Sequence, residues 1–141
     1  MNRIIKQVPL FALLLLLILP ASSQASSSAK GEDPRYKSLS EMADRIDKTC
    51  PVKMDRESRM DGVKLVEKTI LQYELSLYKR AKKDLDIPAL RKRLQKQVKR
   101  DIKRNKNFAQ LREMGVTFRY IYRDMKGKYL LTLEFTPKDY R

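Results

Sequence analysis

Apolar residues recur along this chain first at helical spacing, then at every second position, then at helical spacing again, and finally at every second position once more. Leu39, Met42 and Ile46, with Ala43 beside them, fall three and four apart, which predicts a short amphipathic helix running to about Lys48 and stopped by Pro51. Ser38 and Glu41 stand three apart at its start, the spacing at which a hydroxyl and a carboxylate satisfy the free N–H groups of a first turn. Val52 to Met54 can form a short strand, and Asp55 to Arg59 a polar turn. From Val63 to Leu77 the period is two. Val63, Leu65, Thr69, Leu71, Tyr73, Leu75 and Leu77 point one way, and Lys64, Lys68, Gln72, Glu74 and Ser76 the other, as in a long strand with one wet face. Glu67, Val66 and Ile70 break that alternation.

Asp86 can cap a second helix, with Pro88 tolerated in its first turn. At ~100° per residue, Ile87, Leu90, Leu94, Val98 and Ile102 occupy an arc of about 120°. Lys92, Arg93, Lys96, Lys99, Arg100, Lys103 and Arg104 fill the opposite side, with Arg91 just inside the apolar border. Asn105 to Asn107 interrupt the pattern, Phe108, Leu111 and Met114 resume it, and Gly115 suits a helix end. The chain then predicts a hairpin: Val116, Phe118, Tyr120 and Tyr122 alternate with polar residues, Asp124 to Gly127 turn, and Tyr129, Leu131, Leu133 and Phe135 alternate again before Pro137. The order is helix, strand or strands, helix, hairpin. It implies an α+β domain, an antiparallel sheet with two helices packed on one face, spanning residues 35–141.

The first 25 residues are of another kind. Arg3 and Lys6 precede an apolar run from Val8 to Leu19, interrupted only by Pro9, and Pro20 leads to Ser23-Gln24-Ala25. The run is short of the ~20 residues a spanning helix needs, and the small residues before Ser26 suit a signal peptidase. Residues 1–25 therefore read as a secretory signal cleaved between Ala25 and Ser26, and 26–34 as a flexible lead. No cysteine follows the junction to accept a lipid, and no spanning segment is expected after cleavage. The protein is expected to be exported, into the periplasm or beyond.

The formal net charge is +15, and removal of Arg3 and Lys6 with the leader leaves +13, so the surplus belongs to the domain. Histidine is absent, which removes the commonest general base, the commonest metal ligand and every His-dependent triad. Cys50 is the single cysteine, so no internal disulfide can form. Ahead of Pro51 it reads as a small half-buried filler. Phosphate-binding glycine loops, a G-x-S-x-G elbow and zinc spacings are absent.

The densest polar cluster is Asp55, Glu57, Arg59 and Asp61. Its acids are spaced like the start of a calcium loop, but the glycine and the closing Glu of such a loop are missing, and no metal or cofactor is expected. A turn fixed by Arg59 on Asp55 or Asp61 is the simpler reading. The alternative is a small hydrolase using Asp55, Glu57 and Asp61, although there is no Trp to form a sugar platform. Tyr120, Tyr122 and Tyr129 fit core or cross-strand pairs better than a ligand-facing patch.

Several short segments carry a resemblance: Cys50-Pro51-Val52-Lys53-Met54-Asp55 with Ser58-Arg59-Met60-Asp61, then Gln72-Tyr73-Glu74-Leu75, and finally Tyr122-Arg123-Asp124 with Gly127-Lys128-Tyr129. In these the chain resembles a group of small exported bacterial α+β proteins of unassigned function. The resemblance implies export and fold but no activity, and the strongly basic second helix is where this chain is expected to differ.

Thirteen Lys or Arg lie between Lys79 and Lys106 against Asp84, Asp86 and Asp101. A solvated helix face needs no ligand. As a binding surface, Lys92, Arg93, Lys96, Lys99, Arg100, Lys103 and Arg104 would dock an anionic envelope component or an acidic protein. Nonspecific nucleic-acid binding is a further alternative, disfavoured by export and by the lack of a stacking aromatic on that arc. The apolar side is expected to cover the sheet rather than enter a membrane, because five aliphatic side chains at ~1.5–3 kcal/mol each gain most by completing the core. The reading is a noncatalytic envelope protein, monomer or weak homodimer, whose strand edges could also accept a partner strand.

Overall fold

The computed structural model describes residues 33–141; the leader, its Ala25–Ser26 junction and most of the 26–34 lead lie outside the described residues. Helix α1 spans Pro34–Asp47, and Leu39, Ala43 and Ile46, at i, i+4 and i+7, are buried. It begins four residues before the expected Ser38 cap. Asp33 accepts the Arg35 N–H at 3.0 Å and Pro34 occupies the first turn, an acidic cap followed by a proline whose missing N–H is no loss there. Ser38 and Glu41 consequently lie inside the helix.

Five strands follow in spatial order β1-β2-β3-β4-β5: β1 (Val52–Lys53), β2 (Ser58–Val66), β3 (Ile70–Leu77), β4 (Thr117–Asp124) and β5 (Tyr129–Phe135). The sheet is mostly antiparallel, with β3 and β4 parallel at its centre. The segment between them carries helix α2 (Ile87–Arg104) and the short helix α3 (Ala109–Glu113), and only a long crossover of this kind returns a chain to the end from which β3 started. The single long strand expected over 63–77 is a hairpin. Leu65 pairs with Leu71 and Val63 with Tyr73, so odd residues face odd residues and the alternation passes through the turn without a change of phase. The irregular Val66, Glu67 and Ile70 were the mark of that turn, in which Glu67 and Lys68 take positive φ of 50° and 63°.

One face of the sheet carries Val63, Leu71, Tyr73, Leu75, Phe118, Tyr120, Tyr122, Leu131, Leu133 and Phe135, which join Leu39, Ala43, Leu90, Val98, Ile102, Phe108 and Leu111 of the covering helices in one buried core. Tyr73 stacks on Tyr120 at 4.9 Å between centroids, and Phe118 meets Phe108 and Tyr140 edge-on at 5.3 and 5.6 Å. Contacts of this kind add about 0.5–1.5 kcal/mol each beyond area burial. Tyr140 lies on α4 (Pro137–Tyr140), a last turn opened by a Thr136–Asp139 capping box, and its hydroxyl donates to the Val116 carbonyl at 2.7 Å.

The other face carries a set of ion pairs. Arg59 pairs with Asp61, which also accepts from the Ser76 hydroxyl; Lys64 and Arg123 approach Glu74 at 3.7 and 3.9 Å; Arg119 meets Glu134 at 2.8 Å. Two bulges tune these faces. At Asp61, between the pairs Met60–Leu75 and Gly62–Glu74, the extra residue lets both Met60 and Val63 point inward. Between Tyr122 and Arg123 the register slips against β5, so that Tyr129 pairs with Arg123. Tyr129 is therefore turned out of the core, contrary to its expected place beside Leu131, and Leu130 is buried instead. A slip of one residue reverses every side chain beyond it.

Candidate functional site

Helix α2 carries the strongest functional candidate. Asp86 caps it by accepting the Ala89 N–H at 3.0 Å, and Pro88 sits in the first turn. Leu90, Val98 and Ile102 are buried, and Ile87 and Leu94 are half-buried against the same core. The helix end is closed from α3, where the Arg112 guanidinium donates to the carbonyls of Ile102 at 2.6 Å and Asn105 at 3.0 Å. At the border of the apolar arc, Arg91 donates to the Thr132 carbonyl at 2.9 Å, tying the helix to edge strand β5 and occupying one acceptor there.

With the apolar stripe fixed, the basic one is fixed too. Lys92, Arg93, Lys96, Arg100, Lys103 and Arg104 are exposed and Lys99 is half-buried. Within the described residues only Arg100 among these seven is ion-paired, at 3.4 Å from Asp101 on the same helix. Lys99 lies close enough to Asp139 of α4 to help hold that carboxyl below its ordinary pKa, after the larger effect of its capping hydrogen bonds from the Thr136 N–H and hydroxyl. Lys103 and Arg104, in the last turn, complement the negative end of the helix dipole. The arrangement is a rigid row of cations with little internal neutralisation.

The carboxylate cluster is arranged differently from the hydrolase alternative. Asp55 accepts the Glu57 and Ser58 N–H groups at 2.7 Å and so builds its own turn. Asp61 is held by Arg59 and Ser76 on the open sheet face, and Glu57 is exposed. Of two surface depressions, one is lined by Arg112, Glu113, Tyr140 and Arg141 and the other by Asp33, Tyr36, Lys68 and Met114; neither contains any of the three acids. Among the described residues, no three His, Cys, Asp or Glu side chains converge as a metal centre requires, and no helix is long and apolar enough to cross a membrane. Burial, followed by the charges of Asp47 and Asp61, pushes the Cys50 thiol above its ordinary pKa, so at neutral pH it is a protonated, half-buried group and a poor nucleophile. Burial likewise raises Tyr73, Tyr120 and Tyr122; all three are core residues.

Sequence reasoning missed how the crossover and the final hairpin are joined. Asp124 is buried and its carboxylate accepts the N–H groups of Lys82, Lys126 and Lys128, each at 2.8 Å. Burial by itself would raise its pKa, but these three donors and the nearby Lys128 charge outweigh that effect and leave it below 3.8. The Asp124-to-Gly127 turn signalled the two local bonds; the third spans 42 residues and left no trace in the local pattern.

Three solved structures share the fold. A candidate secreted protein from Pseudomonas aeruginosa is 21% identical, with a TM-score of 0.59 over 79% of this chain and 100% of that one. The pilotin of the Vibrio vulnificus type 2 secretion system is 11% identical, with a TM-score of 0.60 over 76% and 92% of the two chains. The Vibrio cholerae type II secretion system pilotin is also 11% identical, with a TM-score of 0.58 over 74% and 91%. No curated protein matches the sequence. Residues 34–131, from the first residue of α1 into β5, match a domain of unknown function, and on that match the chain belongs to the DUF8479 family.

Proposed function

We propose that this is an exported, noncatalytic binding protein of the bacterial envelope, freed from its leader between Ala25 and Ser26, that docks an acidic protein through the basic face of α2. The observation that carries this reading is the row of Lys92, Arg93, Lys96, Lys99, Arg100, Lys103 and Arg104 on a helix whose opposite side is locked into the core, with one ion pair among them. Such a row focuses a positive field at fixed spacing and speeds encounter with an oppositely charged surface. The likeness in fold to two secretion-system pilotins favours a protein over a polymer as the anionic partner.

The test is capture of partners from envelope extract by the wild type and by a variant with Lys96, Lys99, Arg100 and Lys103 changed to Glu, at low and at physiological salt. A partner retained by the wild type at low salt, weakened by salt and lost by the variant supports the reading. Retention by both proteins, or retention indifferent to salt, refutes it.

A further inference from the structure

Away from the face of α2, one end of the sheet gathers charge and apolar surface together. Met125, 52% exposed, lies in the β4–β5 turn, and Tyr129, 48% exposed, starts β5. Lys126 and Lys128 alternate with them, and the adjoining crossover segment brings Lys79, Arg80, Lys82 and Lys83, all exposed. The two segments form one platform. The Met125 N–H donates to the Arg80 carbonyl at 2.9 Å, and Asp124 takes the Lys82 N–H from one side and those of Lys126 and Lys128 from the other. Because the Asp124 carboxylate is buried on those donors, Asp84 is the exposed acid in residues 79–84 and 123–129. A Cβ placed on Gly127 would meet no atom within 4 Å, so the turn projects into solvent.

We propose that this platform docks on a bilayer surface rich in anionic headgroups, with Met125 and Tyr129 entering the headgroup layer and the surrounding cations lying among the phosphates. This goes beyond the α2 reading and does not depend on it. Five of the seven exposed cations in these two segments are lysines, mobile point charges suited to a diffuse anionic plane rather than to a fixed carboxylate geometry, and Arg123 is turned to Glu74. Met125 stands on the projecting turn and Tyr129 beside it at the start of β5, its hydroxyl donating to the Thr132 hydroxyl at 3.2 Å, and neither lines either of the two surface depressions. Tyrosine and a flexible apolar residue flanked by lysines are what the water–lipid boundary accommodates, the rings and thioether inward and the ammonium groups outward. Attraction per cation near such a surface corresponds to roughly a five-fold gain in partition.

The chain has no tryptophan, so Tyr129→Trp is a unique reporter. In the leader-free protein, residues 26–141, its emission is expected to shift to the blue on adding phosphatidylglycerol-containing vesicles, and not on adding pure phosphatidylcholine. In flotation assays, Met125→Asp and the pair Lys126→Gln with Lys128→Gln should each lower vesicle binding by about ten-fold or more. Substituting Lys96, Lys99, Arg100 and Lys103 by Glu should leave the tryptophan shift in place. Circular dichroism spectra matching the wild type are the control that these surface variants fold. An unshifted tryptophan, equal binding to neutral vesicles, flotation of Met125→Asp like the wild type, or engagement of this end only by an acidic protein would each overturn the proposal.

Discussion

Truncation along one side of α2 gives a graded test of the packing on which both surfaces depend. Ile102 is 0% exposed and Leu90 4%, Leu94 is half-buried, and Lys96 points to water. Ile102→Ala removes three carbon groups from the core, worth about 0.8 kcal/mol each in transfer, or about 2.4 kcal/mol. The partly collapsed cavity adds to this, so about 3–4 kcal/mol is expected, within the range seen for such changes. For a domain stable by ~5–15 kcal/mol this is a large fraction. Leu90→Ala should follow closely, Leu94→Ala should lose about half as much because its side chain is already partly wet, and Lys96→Ala should stay within about 0.5 kcal/mol of wild type. Urea unfolding monitored by circular dichroism reads the series as midpoint shifts of about 1–4 M for Ile102→Ala, given slopes of ~1–3 kcal/mol per M. If Leu94→Ala or Lys96→Ala proved as damaging as Ile102→Ala, the helix would not be seated as described and its basic row would not face outward.

Two more predictions concern single points in the fold. Gly62 lies so close to α1 that a Cβ there would stand 2.7 Å from the Asp47 carboxylate oxygen, which also accepts the Val63 N–H at 2.9 Å; Gly62→Ala should therefore break that bond and destabilise by about 1–3 kcal/mol, and thermal melting with hydrogen exchange at Val63 would show it. The depressed pKa of Asp124 means that its contribution is full above the unfolded value near 3.8 and fades as pH falls through its lower folded value. Wild-type stability should thus decline with acid below about pH 4, and Asp124→Asn should be less stable at pH 7 and flatter with pH in that window; an unchanged acid profile in the variant would refute the role given to this carboxylate.

Helices α1 and α2 were legible in the sequence because their signals are local, whereas the last turn α4 was not expected. The arc of Leu90, Leu94, Val98 and Ile102 needs no knowledge of the sheet, and Asp86 with Pro88 marks the start of α2 whatever surrounds it. The final hairpin was legible for the same reason. What escaped was phase and partnership. The turn at Glu67-Lys68 leaves apolar residues on odd positions at both sides, so period two could not separate one strand from two. The slip beside Arg123 inverts Tyr129 with no change in composition. The parallel pairing of β3 with β4 follows from a crossover whose length was visible but whose destination was not. The Ser38–Glu41 spacing drew the expected start away from Asp33, where the acidic cap and Pro34 open the helix. The basic row of the candidate site was readable residue by residue, whereas the platform around Met125 required Asp124 to join segments far apart in the chain.

Charge is distributed unevenly between the two sides of the domain, and this gives salt dependence a predictable sign. On the open sheet face the cations are matched: Arg59 with Asp61, Lys64 and Arg123 with Glu74, Arg119 with Glu134. Exposed pairs of this kind contribute about 0–1 kcal/mol each and weaken with salt. On α2 the opposite holds. Lys92 and Lys96, Lys96 and Arg100, Lys99 and Lys103, and Arg100 and Arg104 stand four apart, while Arg93 and Lys96, Lys96 and Lys99, and Arg100 and Lys103 stand three apart. Like charges at these spacings destabilise a helix by about 0.2–0.5 kcal/mol per pair, and the +13 that remains without Arg3 and Lys6 adds long-range repulsion from the sheet end. Screening removes the repulsion as well as the attraction, and repulsion has more members and longer reach. Raising sodium chloride from 20 to 150 mM should therefore increase the melting temperature, and the Glu-substituted α2 variant should start higher at low salt and respond less. A melting temperature that falls with salt would mean that the matched sheet face governs the balance, and that the row on α2 carries too little strain from self-repulsion for an acidic partner to relieve.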